Sequence, residues 1–221
     1  MQRLITSSLI DSMNYYKSAP VYAKQKALAD FSAMVKREPR PTAPSAQRGI
    51  DFENLVCKNC NTDSNDELIE KARLLYGRNA NLDVVLKMAE KCKGGEQQVK
   101  VSKEIEVDGD TYFLFGYADI VFPEKIIDIK TCGKFKGADY YLNRIQHHIY
   151  SVCTGITDFD YAVADFCNTD KPWLYHEVKV QNDLAKSEDE IAGKIIELKD
   201  FLHEHDLWLD YLTVFSAKKH K

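Results

Sequence analysis

Five residues in the middle of the chain have the side-chain types and the spacing expected of a reactive site: two aspartates, a lysine, a glutamine and a tyrosine. Asp119 and Asp128 flank a Pro-Glu turn, and Lys130 follows two positions after Asp128. Gln146 and Tyr150 come later and are four positions apart. Paired carboxylates suit Mg²⁺, and a nearby lysine can orient or help deprotonate an attacking water and stabilise the charge that develops on a phosphate. These residues predict a metal-dependent phosphodiesterase site.

The two aspartates belong to a predicted β-hairpin. Alternating apolar residues predict strands at Tyr112–Phe122 and Lys125–Thr131, with Pro123-Glu124 as the turn between them. In a symmetric hairpin, residues whose numbers sum to 247 lie opposite each other, and Asp119 and Asp128 satisfy this condition. Opposed Cβ atoms are about 4.5–5.5 Å apart, so we expect the two carboxylates to be close neighbours.

The same hairpin predicts how the acid pair is compensated. Like charges at opposed positions destabilise a sheet, and a divalent cation between them would remove that repulsion. Strand alternation places Lys130 on the face of Asp128 and points Ile129 away. The lysine could instead form an ordinary structural ion pair with either aspartate, and the residues alone leave both interpretations open.

Gln146 and Tyr150 share one face of a helix predicted over Ala138–Val152. From that face they could hydrogen-bond a phosphate, a base or a catalytic neighbour. The alternative is ordinary packing at the edge of the core. We expect the neighbouring His147 and His148 to face elsewhere and to be solvated.

A glutamate upstream is a further candidate for the site. Glu53 lies on a helix predicted over Gln47–Lys58, at the edge of its apolar face, from which it could point into a cleft. Gly49, one turn earlier, would let this helix approach another backbone or a phosphate closely. Asp51 fits better as a surface acid near the helix start.

The remaining sequence alternates between helix-like and strand-like patterns. Five further helices are predicted: one that ends at about Lys17, one from Pro20 to a proline-rich linker at 38–45, one at 66–76 after a polar loop at 61–66, one at 80–92, and one that begins at a capping box at Ser187. Further strands are predicted at 97–107, 158–166 and 173–180, with a hairpin turn at Asp108-Gly109. This order predicts a mixed α/β fold with one central sheet. We expect a single domain: 1–95 mainly helical and carrying Glu53, 96–181 the sheet core, and 182–221 a C-terminal helix and tail.

The composition limits the class of protein. The chain has 221 residues, of which 44% are hydrophobic and 29% charged, as in soluble globular proteins. The sequence contains no apolar run of membrane-spanning length and no export signal, so we expect a cytoplasmic protein. The net charge is −4, yet residues 1–48 hold eight cations against three acids. This excess is compatible with a local phosphate-binding face, although charge alone favours ordinary solvated helix surfaces.

The ordered set of motifs resembles the PD-(D/E)xK nuclease superfamily and, within it, the RecB-like and phage (lambda-type) exonuclease branch. The matching residues are Gly49 with Glu53 on a helix, Asp119 on the second strand, Asp128-Ile129-Lys130 on the third strand, and Gln146 with Tyr150 on the next helix. Asp128 stands where glutamate is more usual. A long stretch of sequence separates Glu53 from Asp119. The resemblance implies a restriction-endonuclease-like core in which a central mixed sheet is flanked by helices.

The resemblance also implies roles for these residues. Asp119, Asp128 and the carbonyl of Ile129 would bind Mg²⁺ or Mn²⁺, Glu53 would be a direct or water-mediated ligand of one or two such ions, and Lys130 would position the water. Gln146 and Tyr150 would contact DNA or brace the site. Candidate phosphate contacts are Arg48, Lys134, Lys136 and Arg144. The implied activity is that of a DNA exonuclease of phage or recombination type, acting on duplex ends and leaving 5′-phosphates, in a bacterial or phage-infected cell. A recombination or single-strand annealing partner and a homo-oligomer are both compatible with it.

Two other functions remain open at this stage: a structure-specific or restriction-type endonuclease, and a non-catalytic nucleic-acid-binding module that keeps the fold. Some relatives carry an iron–sulfur cluster, and Cys57-x-x-Cys60 has metal-ligand spacing. Late in the chain, however, only Cys153 and Cys167 are present, so we expect neither a cluster nor structural zinc. Cys57 and Cys60 are then two free thiols on a helix.

Overall fold

The computed structural model describes residues 2–61, 65–77, 81–167 and 172–217. Its elements in chain order are β1 (Gln2–Ile5), α1 (Ser7–Ser18), α2 (Val21–Val35), α3 (Pro44–Asn59), α4 (Asn65–Tyr76), α5 (Leu82–Cys92), β2 (Glu96–Val107), β3 (Asp110–Val121), β4 (Lys125–Cys132), α6 (Asp139–Leu142), α7 (Gln146–Thr154), β5 (Asp158–Asp165), β6 (Leu174–Gln181), α8 (Leu184–Glu204), α9 (Trp208–Val214) and β7 (Ser216–Ala217). The central part of the loop expected at 61–66 and the first residue of the helix expected at 80–92 lie outside the described residues.

The strands form one mixed sheet in the order β6-β5-β4-β3-β1-β7. β2 is outside this order and pairs with the other edge of β3. β2 and β3 form a long antiparallel hairpin whose turn, Asp108-Gly109, has positive φ at both residues. β4 and β5 are parallel, whereas β5 and β6 are antiparallel. The predicted α/β class with a central mixed sheet flanked by helices is confirmed.

Two apolar layers cover the two faces of the sheet. On one face, α3, α4 and α5 pack their buried side chains against the sheet; examples are Phe52, Val56, Leu68 and Met88 against Ile127 and Ile129. On the other face, α1, α2, α7 and α8 do the same; examples are Leu9, Phe31, Ile149 and Leu198 against Ile126 and Phe159. Each fully buried side chain of this size contributes about 1.5–3 kcal/mol, so both faces of the sheet are held firmly.

The edge of β3 that faces away from β2 is paired at its two ends and open between them. Its start pairs with β1 at Tyr112 to Leu114, and its end pairs with β4 at Ile120 and Val121. Because β2 occupies the other edge along the whole strand, both partners must share this one. The open part of the edge, between Leu114 and Ile120, is where the site is built.

Two predicted helices have different boundaries in the structure. The helix expected over Ala138–Val152 is two helices, α6 and α7, separated at Asn143 to Ile145. The cap of α8 is Asp183, whose Oδ1 accepts hydrogen bonds from the N–H groups of Ala185 and Lys186, so the capping box proposed at Ser187 does not form. A cap placed earlier extends α8 by a full turn.

The first helix is capped by Thr6, whose side chain accepts a hydrogen bond from the N–H of Leu9. Three elements were not predicted: β1, α9 and β7. β1 and β7 are short, and their strands form only through partners distant in the chain. No helix within the described residues is long and apolar enough to cross a membrane.

Candidate active site

The acid pair lies where β3 and β4 separate. The ladder between the two strands ends at the pair Ile120–Ile127, whose numbers have the predicted sum of 247. Beyond this pair, Asp119 Oδ2 accepts a hydrogen bond of 2.8 Å from the backbone N–H of Ile129. The carboxylate therefore takes the place of a backbone acceptor. The predicted register is confirmed, but the strands diverge at the acids, and Asp119 fills the fork between them.

Asp128 is completely buried, yet both of its oxygens have polar neighbours. Its side chain is 0% exposed. Oδ1 accepts a hydrogen bond of 2.6 Å from Gln146 Nε2 on α7, and Oδ2 lies 2.6 Å from the ammonium of Lys130. Ile129 packs on the opposite face of the sheet. The predicted alternation along β4 is confirmed, and the ion pair left open by the sequence is present.

Glu53 joins this group through a glutamine that the sequence analysis did not identify. Gln98 on β2 donates from Nε2 to Glu53 Oε1 at 3.0 Å and to Asp119 Oδ1 at 3.3 Å. Gln98 lies between the register pairs Gln97–Ile120 and Val99–Ala118, in the position across from Asp119, and adopts a left-handed backbone with φ of 49°. Strained positions of this kind cluster at functional sites. The sum rule that pairs Asp119 with Asp128 can also be applied to the turn at Asp108-Gly109. There it places Gln98 across from Asp119 and would have identified this glutamine.

A close approach between α3 and β4 brings Glu53 to the sheet. A Cβ atom added at Gly49 would lie 2.7 Å from Thr131 Oγ1, so no larger residue fits without a shift. The long separation in sequence between Glu53 and Asp119 is thus closed in space. The close approach expected at Gly49 occurs, with a side chain of β4 as its neighbour.

The cluster carries more negative charge than its surroundings stabilise. Burial and the Asp128 carboxylate raise the pKa of Asp119 well above its usual range, despite the opposing effects of Lys130 and the Ile129 N–H. Burial is also the main cause of the raised pKa of Glu53. Burial alone would lower the pKa of Lys130, but Asp128 and Asp119 outweigh it and raise that pKa. Lys130 is therefore a firmly held cation, suited to donate hydrogen bonds and unsuited to remove a proton.

The donor set suits a hard divalent cation only in part. Candidate ligands are the carboxylates of Asp119 and Asp128, the Ile129 carbonyl and, at the margin, Glu53. Among the described residues, no three His, Cys, Asp or Glu side chains gather around a common point. Mg²⁺ needs only one or two protein carboxylates, because waters and substrate phosphate complete its shell. A cation here would take over the compensating role of Lys130, and Gln98 would hold Asp119 in place beside it.

Tyr150 closes the open edge of β3 from the α7 side. Its hydroxyl donates a hydrogen bond of 2.8 Å to the carbonyl of Tyr117, which lies in the open stretch of that edge. A Cβ atom at Gly116 would lie 2.6 Å from Tyr150 Cε1, so the ring is seated against bare backbone. Tyr150 is only 4% exposed. Of the two roles implied for Gln146 and Tyr150, these contacts favour bracing the site.

The expectation that His147 and His148 are solvated is wrong. His147 is 2% exposed, and its Nδ1 lies 2.8 Å from Asn182 Oδ1. His148 Nδ1 lies 2.8 Å from the hydroxyl of Ser187 on α8. Burial, with a smaller effect of His147, lowers the pKa of His148 to about 4. Both histidines join α7 to the following chain, because α8 starts earlier than predicted and covers this side of α7.

The basic residues proposed as phosphate contacts occupy different settings. Arg48 lines a cleft of about 530 Å³ together with Glu53 and Lys130, and its guanidinium lies 4.2 Å from the centre of the Phe166 ring. Lys134 and Lys136 are exposed on the segment that follows β4. Arg144 is half-buried, with Nη1 3.1 Å from Asp11 Oδ2 and Nη2 donating to Tyr140 at 2.6 Å. Of the four, only Arg48 lines the cleft beside Lys130.

The two closely spaced cysteines are buried thiols. Cys57 lies within α3 and Cys60 is its C-cap, and both are free. Burial is the main cause that raises the pKa of each. Metal ligation requires the thiolate, which this apolar setting disfavours. Cys153 and Cys167 are half-buried, and neither forms a disulfide with another described residue.

No family model matches the sequence, and no curated protein does. Among solved structures, the crystal structure of SSO0001 is 17% identical, with a TM-score of 0.46 over 89% of this chain and 77% of that one. An alkaline exonuclease from Laribacter hongkongensis, LHK-Exo, is also 17% identical, with a TM-score of 0.44 over 91% of both chains. The same exonuclease in complex with dAMP matches with the same score and identity over 90% of both chains. These similarities are too remote to place the chain in a family.

Proposed function

We propose that this protein is a divalent-metal-dependent deoxyribonuclease that hydrolyses phosphodiester bonds, most simply as an exonuclease that leaves 5′-phosphates. The observation that carries the proposal is the fork between β3 and β4. There Asp119 and a fully buried Asp128 meet a protonated lysine, with a third carboxylate joined through Gln98. A structural ion pair needs one acid. A second and a third acid beside it raise the local charge and are explained by a bound cation.

The chain's own residues then have defined tasks. Attack of water on phosphorus forms a new P–O bond and breaks the P–O3′ bond, so that one product ends in a 3′-hydroxyl and the other begins with a 5′-phosphate; the water loses a proton to solvent, and the departing O3′ gains one. The Lys130 ammonium, held by Asp128, donates to the attacking water or to a non-bridging oxygen and stabilises the charge that develops. Gln146 fixes Asp128, and Gln98 sets the distance between Glu53 and Asp119. A cation at Asp119, Asp128 and the Ile129 carbonyl would polarise the phosphate and lower the pKa of a bound water.

The test is a pair of single substitutions. Lys130→Ala and Asp119→Ala should each lower cleavage of linear duplex DNA in Mg²⁺ or Mn²⁺ by at least about 100-fold, because each removes a charge that acts on the reacting phosphate. The far-UV circular dichroism should stay unchanged. Lys103→Ala is the control, since Lys103 lies on the β2 strand away from the site and pairs with Glu188. Cleavage at the wild-type rate by either active-site variant would remove the proposal.

A further inference from the structure

An exposed aromatic strip leads along the β2–β3 hairpin to the fork. Phe115 and Tyr117 precede Asp119 at alternate positions of β3. Their rings meet edge to face, with centroids 5.4 Å apart and planes at 85°. Tyr117 is 51% exposed, although its backbone carbonyl is fixed by the hydroxyl of Tyr150. The ring thus projects into solvent from a rigid strand, which makes it a preorganised surface.

A cation lies beside these rings on the neighbouring strand. Lys100 is opposite Tyr117 in the register, and its ammonium lies 5.5 Å from the centre of the Phe115 ring. Within the described part of the chain, Lys100 has no carboxylate in ion-pair distance. Farther from the fork, the same face of β2 carries Glu104 and Glu106. The positive charge is therefore confined to the end of the strip that adjoins Asp119.

Single exposed tyrosines are ordinary on protein surfaces. This one differs because Lys100 lies opposite it on β2, and Asp119 of the acid cluster follows two residues later on β3. Two residues of a strand span about 6.7 Å. The backbone positions of Tyr117 and Asp119 are therefore separated by about the length of one nucleotide. An aromatic face for a base and an ammonium for a phosphate are the two components of sites for unpaired nucleic acid.

We propose that Tyr117, Phe115 and Lys100 form a subsite for one unpaired nucleotide next to the phosphate that is cut. The base stacks on Tyr117, Phe115 supports that ring from its edge, and Lys100 pairs with the adjoining phosphate. A base within a duplex has both faces covered by its neighbours, so only a frayed or single-stranded nucleotide can occupy the subsite. This inference rests on the proposed nuclease function and specifies its substrate as a strand that is unpaired at the point of cutting.

The experiment measures equilibrium binding by fluorescence anisotropy in EDTA, so that hydrolysis does not interfere. The probes are a labelled single-stranded oligonucleotide of about 12 nucleotides, its blunt duplex, an abasic version of the single strand and an RNA of the same sequence. Tyr117→Ala should weaken binding of the single strand about 5- to 100-fold. Tyr117→Phe, which keeps the ring, should bind within about twofold of wild type. Binding of the blunt duplex and of the abasic strand should be the same in wild type and Tyr117→Ala.

Tyr22→Ala is the matched control, because Tyr22 is 90% exposed and lies on α2, which contributes no residue to the fork. It should change nothing. Equal binding of the single strand by wild type and Tyr117→Ala would overturn the subsite, as would equal losses for single strand and duplex, or wild type failing to bind any probe. Hydrolysis by wild type is measured separately with Mn²⁺. If Tyr117→Ala selectively loses binding of the single strand but wild type hydrolyses no DNA, the subsite stands and the proposed nuclease function fails. If wild type hydrolyses DNA but Tyr117→Ala binds the single strand as wild type does, the nuclease function stands and the subsite fails. The RNA arm decides whether the subsite discriminates between the two nucleic acids.

Discussion

At the scale of single residues, Gln98 determines the positions of the clustered acids as much as the acids themselves do. One side-chain amide donates to Glu53 and to Asp119, and its backbone is held at a φ of 49°. Neutral donors that orient ligands in this way commonly change metal affinity 10- to 100-fold when they are removed. The strained backbone and the hydrogen bonds can be separated by experiment, because glycine accepts the backbone angle and supplies no amide.

We expect Gln98→Ala and Gln98→Gly to raise the Mg²⁺ concentration needed for half-maximal cleavage about 10-fold or more, since both lose the donor that orients Glu53 and Asp119. Their stabilities should differ: Gln98→Gly should be more stable than Gln98→Ala by about 1 kcal/mol, because alanine keeps the left-handed strain. Metal titrations and urea unfolding give the two values. Gln97→Ala is the control, because Gln97 contacts Cys60. An unchanged metal titration in both Gln98 variants would mean that Gln98 is only a structural residue.

At the scale of elements, the site depends on an edge of β3 that is left open between β1 and β4. Tyr150 fills this gap from α7, against the bare backbone of Gly116. Gly116→Ala would place a methyl group 2.6 Å from Tyr150 Cε1, so the ring or the strand must move. Overpacking of this kind costs about 1–3 kcal/mol.

Gly116→Ala should therefore lower the free energy of unfolding by about 1–3 kcal/mol and reduce cleavage, since α7 also carries Gln146. Gly193→Ala is the matched control, because an added Cβ meets nothing within 4 Å on the exposed face of α8. It should stabilise the protein by about 0.5–1 kcal/mol and leave cleavage unchanged. Denaturant unfolding and an activity assay measure both. If Gly116→Ala is as stable and as active as wild type, Tyr150 does not brace the site.

The parts that sequence could predict are those set by local rules. Strand alternation and one turn gave the register of Ile120 with Ile127 and the face shared by Asp128 and Lys130. The parts that were missed depend on distant partners. β1 forms by pairing with β3 and β7, both more than a hundred residues away. His147 is buried by Asn182, whose position depends on how β6 leads into α8. Neither the pairing of β1 nor the burial of His147 leaves a local signature in the sequence.

At the scale of the whole molecule, the arrangement of charge predicts how DNA is approached. The net charge of −4 means that binding depends on local cations, of which Arg48 lines the cleft beside Lys130. Arg144 pairs with Asp11, which leaves it less available to a phosphate. Affinity should fall as salt rises, in proportion to the few phosphates that are contacted.

The mode of cutting follows from a subsite that accepts only an unpaired strand. A linear duplex frays at its ends, whereas a covalently closed, relaxed circle has none. We expect the linear form to be degraded in Mn²⁺ and the circle of the same sequence to remain intact, as read on an agarose gel. Degradation of both at similar rates would identify an endonuclease and exclude the exonuclease mode.

The central claim is that the fork between β3 and β4 holds a divalent cation. Its most direct test is a crystal soaked in Mn²⁺ and measured for anomalous scattering. We expect a strong peak in contact with both Asp119 and Asp128, close to the carbonyl of Ile129, and no such peak in crystals of Asp119→Ala. A map without a peak at the fork, with Lys130 still paired to Asp128, would contradict it and would leave a protein that keeps the fold without the chemistry.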